Sequence, residues 1–134
     1  MNAEERQAKI DFILGHYEHP YRYGALPDAS AVQRGGNPGC GDVVTMYLQV
    51  DGAGRITAIS FEGEGCTISM AGASLVTELF EGKTLDEVER TSPEVILDLF
   101  GRELAGTRLK CVTLGLNAAQ AAVRQVRQRR AAEA

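Results

Sequence analysis

The strongest constraint on the fold is an alternation of apolar and polar residues before a short turn. Every second position from residue 44 to residue 50 is apolar: Val44, Met46, Leu48 and Val50. A turn rich in glycine follows at residues 51–54, and a second strand-like stretch covers residues 55–61. Residues two apart in a strand share one face, so the pattern predicts an antiparallel hairpin with one buried face. An isolated hairpin is only marginally stable in water, so a third strand or helices must pack against this face.

Apolar residues at helical spacing predict helices on both sides of the hairpin. They cover residues 4–17, a segment from Cys66 to Gly82, two short segments that begin at Thr84 and Ser92, and residues 112–130. The connection before the hairpin is rich in Pro and Gly, and it predicts little regular structure beyond a short edge strand around residues 29–33. This order predicts an α+β fold with helices on one face of a sheet.

Length and composition predict one domain over residues 1–134, because 134 residues with 44% hydrophobic and 24% charged residues are typical of a single globular core. The net charge is −4, yet the predicted helical tail at 124–134 is basic. Its four arginines are typical of a solvated helix end. Nucleic-acid binding is not predicted, because no basic surface extends over the domain.

No stretch reaches the roughly 20 apolar residues of a membrane span, and the charged N-terminus lacks a signal-peptide hydrophobic region. We therefore expect a cytoplasmic protein that does not interact with membranes. Thiols stay reduced in that compartment, and the three cysteines cannot all pair within one chain. Metal binding or sulfur chemistry is thus favoured over a disulfide framework.

Each cysteine lies at a predicted element boundary. Cys40 is in a loop with glycine on both sides, and Asp42 two positions later opens the hairpin. Cys66 and Cys111 both precede predicted helices, where the helix dipole favours a thiolate, and Arg108 and Lys110 add positive charge near Cys111. The alternative is that each is a small buried apolar residue. Together, three thiolates and Asp42 make a four-ligand set suited to zinc or to an iron-sulfur cluster.

The histidines and serines are weaker candidates. His16 and His19 flank the predicted end of the first helix, so a helix-terminal role is favoured over metal binding. Ser69 and Ser74 follow Cys66 without a histidine or acid at triad spacing, and we interpret them as residues of the helix face.

The chain resembles the IscU/SufU/NifU N-terminal family of scaffold proteins through three ordered motifs. They are Asn37-Pro38-x-Cys40-Gly41-Asp42, Gly63-x-Gly65-Cys66-x-x-Ser69-x-Ala71-x-Ala73-Ser74 and Arg108-x-Lys110-Cys111. The resemblance implies a three-stranded antiparallel sheet packed against several helices, with Cys40, Asp42, Cys66 and Cys111 converging at an exposed tip. It also implies a cysteine desulfurase as sulfur donor and apo-proteins as recipients.

The resemblance combines features of two branches. Lys110 before the third cysteine is similar to SufU, whereas the short spacing from Cys66 to Cys111 is similar to IscU. The LPPVK motif of some relatives is replaced by residues 104–108, so binding of the dedicated Hsp70 chaperone is not predicted.

Three hypotheses follow from the ligand set and the resemblance. The first is a scaffold that builds a transient [2Fe-2S] cluster from iron and persulfide sulfur, with Asp42 as a weak hard ligand. The second is a Zn²⁺-bound sulfur acceptor that relays sulfur, with Cys40 as nucleophile and Arg108 and Lys110 in support. The third is a structural zinc module that only recruits partners, and its metal would be needed for folding. The first two predict a scaffold or sulfur acceptor rather than an enzyme in the usual sense.

Overall fold

The computed structural model of the protein describes residues 1–37 and 41–133. Its elements are α1 (Ala3–Glu18), β1 (Ala31–Asn37), β2 (Asp42–Val50), β3 (Ile56–Glu64), α2 (Thr67–Phe80), α3 (Leu85–Arg90), α4 (Pro93–Phe100), α5 (Arg102–Ala105), α6 (Leu109–Val112) and α7 (Leu114–Glu133). The strands form one antiparallel sheet in the order β1-β2-β3. The predicted α+β fold with a three-stranded sheet and several helices is confirmed. None of the described helices has the length and apolar character that crossing a membrane requires.

The β2–β3 hairpin is held by the turn that the sequence predicts. The carboxylate of Asp51 accepts the backbone N–H groups of Ala53 and Arg55, each at 2.9 Å, and Gly54 adopts a left-handed φ of 83°. The four alternating residues of β2 are all buried: Val44, Met46, Leu48 and Val50. The predicted inward face of the hairpin is therefore confirmed.

Strand β1 lies later in the chain than the predicted edge strand at residues 29–33. It pairs with β2 from Ala31 opposite Leu48 onward. A Cβ built on Gly35 would lie 3.4 Å from Cβ of Ala118, so α7 packs close against this strand. The glycines that make the segment look like a loop in the sequence are compatible with a strand that a helix covers closely.

Helix α2 is the centre of the helical layer and contacts α1, α6, α7 and the sheet. Two glycines let backbones approach closely there. A Cβ on Gly72 would lie 2.6 Å from the carbonyl oxygen of Val112, and one on Gly115 would lie 2.7 Å from Cα of Ala73. The position of α6, which carries Cys111, is thus fixed by its contact with α2.

Three arginines of α7 contact the body of the protein, which corrects the prediction of a merely solvated helix end. Arg127 forms ion pairs with Asp86 and Glu89 of α3. Arg129 donates to the carbonyl of Ser30 at 2.8 Å. Arg130 donates to the carbonyl of Asp51 at 2.7 Å. Periodicity alone does not show that the helix end passes over the hairpin turn and the start of β1.

Candidate metal and sulfur site

Three of the four predicted ligand residues lie together at one end of the sheet. A carboxylate oxygen of Asp42 and the sulfurs of Cys66 and Cys111 all lie within 4.8 Å of one another. Asp42 and Cys111 are buried, and Cys66 is half-buried. Cys40, the fourth predicted ligand, lies outside the described residues. The structure therefore brings Asp42, Cys66 and Cys111 together, while their role as ligands stays a prediction.

Asp42 is positioned by the strand register and by the glycine before Cys66. It is the first residue of β2, beside the end of β3, where Val43 pairs with Glu64. A Cβ on Gly65 would lie 2.8 Å from Cγ of Asp42, so only a glycine leaves room for the carboxylate there. The backbone N–H of Cys66 donates to Oδ1 of Asp42 at 3.3 Å.

Cys66 is the N-cap residue of α2, as the sequence predicts. Burial raises the pKa of its thiol, but the hydroxyl and backbone N–H of Ser69 stabilise the thiolate. A hydrogen bond to Asp42 raises the pKa further, and one from Arg108 lowers it. The net pKa of Cys66 lies below its ordinary value. The site thus favours the form of the cysteine that binds metals and attacks sulfur.

Ser69 belongs to the site, and the interpretation of it as an ordinary residue of the helix face is wrong. Its side chain is fully buried, and its hydroxyl donates to Oδ2 of Asp42. The hydroxyl oxygen of Ser69 also lies 3.5 Å from the sulfur of Cys66. The spacing of three residues from Cys66 was the available signal, because it places both side chains on one helix face.

Cys111 lies inside the short helix α6, whereas the sequence predicts only that it directly precedes the last helix. Its side chain is buried, and the contact between α6 and α2 holds it near Cys66. Arg108, directly before α6, forms the hydrogen bond to Cys66 noted above. Lys110 is exposed on α6, and its ammonium forms no ion pair among the described residues. Of the two predicted supporting cations, Arg108 reaches Cys66.

The donor set fits a zinc ion. Zinc lies about 2.3 Å from a cysteine sulfur, so two sulfurs on one tetrahedral ion are about 3.8 Å apart. The ligand atoms of Asp42, Cys66 and Cys111 lie no more than 4.8 Å from one another, which is about 1 Å more than this sulfur–sulfur distance. Two soft sulfurs and one hard oxygen also match a site that holds zinc or iron.

His16 lies outside this site and joins α1 to α2. Its Nδ1 lies 2.6 Å from the hydroxyl oxygen of Ser74, which also accepts the backbone N–H of Tyr21. As predicted, both histidines lie at the end of α1, with His19 as the C-cap residue and His16 in the last turn, but the His16 ring contacts Ser74 of α2. Ser74 is fully buried and serves this contact between helices, so it is more than a residue of the helix face.

The stability of the protein is expected to fall as the pH drops below about 6.5, in part because of His16. Burial lowers the pKa of His16 below its ordinary 6.5, and the carboxylate of Glu78 only partly opposes this. The unfolded chain therefore binds the proton more readily, so folding stability is lost between 6.5 and the lowered value. Urea unfolding of the His16→Gln variant across this window should show a weaker pH dependence. His19→Gln is the control, and an equal loss of pH dependence there would contradict the assignment.

A Gly65→Ala variant is expected to lose metal affinity with little loss of stability. The added Cβ would collide with the Asp42 carboxylate, which Ser69 holds in place, whereas Gly65 itself is exposed. Misplacing a ligand should weaken zinc binding at least as much as losing a supporting hydrogen bond, by about 10-fold or more. Chelator competition and thermal unfolding of the metal-free protein measure the two effects. Gly52→Ala is the control, because a Cβ there meets nothing within 4 Å.

Comparisons with known proteins agree on one family. Residues 8–133 match the NifU-like N terminal domain. The chain is 32% identical over 127 residues to the iron-sulfur cluster assembly scaffold protein IscU of Azotobacter vinelandii, covering 92% of this chain and 97% of that protein. It is 40% identical over 74 residues to the zinc-dependent sulfurtransferase SufU of Bacillus subtilis, covering 55% of this chain and 49% of that protein.

Solved structures show the same fold. A SufU protein of Fervidobacterium islandicum, described as a cluster assembly scaffold for the SUF system, is similar with a TM-score of 0.71 and 27% identity. That match covers 84% of this chain and 94% of the SufU chain. The N-terminal part of a NifU-like protein from Brucella abortus has a TM-score of 0.76 at 23% identity, over 90% of this chain and 98% of the other. The second likeness supports the fold alone.

Proposed function

Because this chain belongs to the NifU-like N-terminal domain family, we propose that it is a scaffold for iron-sulfur cluster assembly. It accepts persulfide sulfur from a cysteine desulfurase, and an electron donor reduces this sulfur to sulfide. The sulfide joins iron in a transient [2Fe-2S] cluster, which the protein passes to apo-proteins. Relatives named as scaffold proteins, IscU of Azotobacter vinelandii among them, support this assignment. The proposal treats residues 1–134 as one functional domain that works in the cytoplasm.

The observation that carries the proposal is the cluster of Asp42, Cys66 and Cys111 at one end of the sheet. Two thiolates supply the ligands that hold iron-sulfur clusters in proteins. An aspartate is a harder ligand than a thiolate, so it gives one weaker attachment to iron. A site that must release its cargo needs such a ligand, and Cys40 would complete the set.

Sulfur transfer needs a thiolate that can approach the donor. The thiolate attacks the outer sulfur of the desulfurase persulfide, the sulfur–sulfur bond of the donor breaks, and the donor cysteine leaves as a thiolate. The acceptor cysteine then carries the persulfide. We assign this step to Cys40, because glycines flank it on both sides in the sequence and glycine is the residue that most easily changes backbone conformation. The lowered pKa of Cys66 and the nearby Arg108 guanidinium support the negative charge that gathers at the site.

The second candidate is a zinc-dependent sulfur acceptor, as the name of the Bacillus subtilis relative suggests. The hydrogen bond from Arg108 to Cys66 favours it, because a cation beside a thiolate can stabilise that thiolate when it is displaced from zinc. In this case zinc holds the cysteines until the desulfurase replaces one ligand.

An anaerobic reconstitution separates these functions. The purified protein is mixed with a cysteine desulfurase, cysteine and ferrous iron, with and without a reductant that converts persulfide sulfur to sulfide. Metal content, visible absorption and thiol-bound sulfur are recorded. Cluster absorption that transfers to an apo-ferredoxin supports the scaffold. Persulfide on one cysteine with zinc retained supports the relay. If neither signal appears and removing zinc unfolds the chain, only a structural zinc module remains.

A further inference from the structure

Ser69 makes an unusual contact for a serine in the first turn of a helix. Hydroxyls inside helices commonly bond to the carbonyl one turn earlier in the same helix. Ser69 instead donates to Oδ2 of Asp42, which belongs to β2. Both side chains are buried, with Ser69 at 0% and Asp42 at 5% exposure.

The two oxygens of the Asp42 carboxylate are held by different donors of the same segment. Ser69 donates to Oδ2 through its hydroxyl, and Cys66 donates to Oδ1 through its backbone N–H at 3.3 Å. Two donors from one rigid helix start fix both the position and the plane of the carboxylate. The sulfur of Cys66 lies 3.4 Å from Oδ2, so the fixed carboxylate stands beside a predicted metal-binding thiol.

We propose that Ser69 is a positioning residue that holds the Asp42 carboxylate against Cys66 and sets how firmly the site retains a metal ion. The proposal deepens the proposed function, because it rests on Asp42 and the cysteines being metal ligands. Ser69 itself is not a ligand in this scheme. Its hydroxyl acts chiefly through Asp42, to which it donates, and to a smaller degree through its longer 3.5 Å contact with the sulfur of Cys66.

Two physical effects give Ser69 this influence. A carboxylate that is already oriented loses less freedom when it binds a metal, which strengthens binding. A hydrogen bond to one oxygen also fixes which oxygen is presented to the ion. Hydrogen bonds to metal ligands of this kind typically change metal affinity by about 10- to 100-fold when they are removed.

The same helix offers a matched control. Ser74 is also fully buried in α2 and also hydrogen-bonded, but its partners are His16 and Tyr21, away from the cysteines. Ser74→Ala and Ser69→Ala therefore remove the same group from equally buried positions. Only Ser69→Ala removes a contact to the metal site.

The experiment measures binding of Zn²⁺ and Co²⁺ alone, by chelator competition and by the sulfur-to-cobalt absorption. Ser69→Ala should lower zinc affinity by about 10- to 100-fold and change the cobalt spectrum. Ser74→Ala should leave both measurements unchanged even if it destabilises the fold. Ser69→Thr, which keeps the hydroxyl, should retain more affinity than Ser69→Ala.

A double-mutant cycle tests whether Ser69 acts through Asp42. In an Asp42→Ala background, Ser69→Ala should lower zinc affinity much less than it does in the wild-type background, because only its contact with Cys66 is left to lose. Three results would each overturn the proposal. The first is an equal loss of zinc affinity in Ser69→Ala and Ser74→Ala, and the second is an undiminished effect of Ser69→Ala in the Asp42→Ala background. The third is a wild-type protein that binds neither ion. These binding experiments contain no desulfurase, so they do not test the scaffold function. That function fails in the reconstitution, if a protein that binds metal forms neither persulfide nor cluster.

Discussion

A Cys111→Ser variant is expected to bind zinc and iron-sulfur clusters at least about 100-fold more weakly than the wild-type protein, more than the loss of a supporting hydrogen bond causes. A serine hydroxyl is a poor ligand for these soft metals at neutral pH, whereas a thiolate is a strong one. Cys111 contributes one of the two sulfurs that lie within 4.8 Å of each other and of Asp42. Zinc titration against a chelator and anaerobic cluster reconstitution measure the loss.

Thermal unfolding of the metal-free forms provides the control for this variant. Serine is slightly smaller than cysteine and polar, so its burial in α6 has some cost, but the metal-free variant should still unfold in one cooperative transition. Wild-type zinc affinity in folded Cys111→Ser would show that Cys111 is only a buried apolar residue. A small apolar role is common for a cysteine that is buried in a protein core.

Gly72→Ala is expected to lower the free energy of unfolding by about 1–3 kcal/mol, the usual cost of overfilling a packed core. The new methyl group would lie 2.6 Å from the carbonyl oxygen of Val112, which is backbone and cannot rotate away. Helices α2 and α6 would have to separate. Because α6 carries Cys111, zinc affinity should fall together with stability.

Gly15→Ala is the matched control for Gly72→Ala. Gly15 lies inside α1, where a Cβ meets nothing within 4 Å, so alanine should stabilise the helix by about 0.5–1 kcal/mol. Urea unfolding of both variants compares the same chemical change in a crowded and an open helical position. A Gly72→Ala protein as stable as the wild type would mean that α2 and α6 are not in fixed backbone contact.

The sequence predicts the hairpin well because its evidence is local. Alternating residues set the buried face of β2, and Asp51 with Gly54 sets the turn between the strands. The start of α2 at Cys66 and the caps at Thr84 and Ser92 are also local signals, and the side chains of both caps accept backbone N–H groups as expected.

Features that depend on contacts distant in sequence were missed. Strand β1 contains Gly35, which has no side chain and so leaves room for α7 to pack closely against the strand. The sequence of β1 alone does not show this contact. Ser69 gains its meaning from Asp42, and that contact requires the end of β2 to meet the start of α2. Helix α6 is a single short turn with no periodic pattern, so the sequence does not predict a helix that contains Cys111. In each case the decisive partner lies on another element.

The order of elements along the chain has a consequence for how the site comes into being. Asp42 and Cys66 are separated by a single hairpin, so they can meet early, while the chain is still being synthesised. Cys111 is held only when α6 packs against α2, and α7, which follows it, covers β1 and β2. A growing chain therefore displays half of the site before the other half exists. Any metal that needs Asp42, Cys66 and Cys111 together could therefore bind only after α6 has packed against α2.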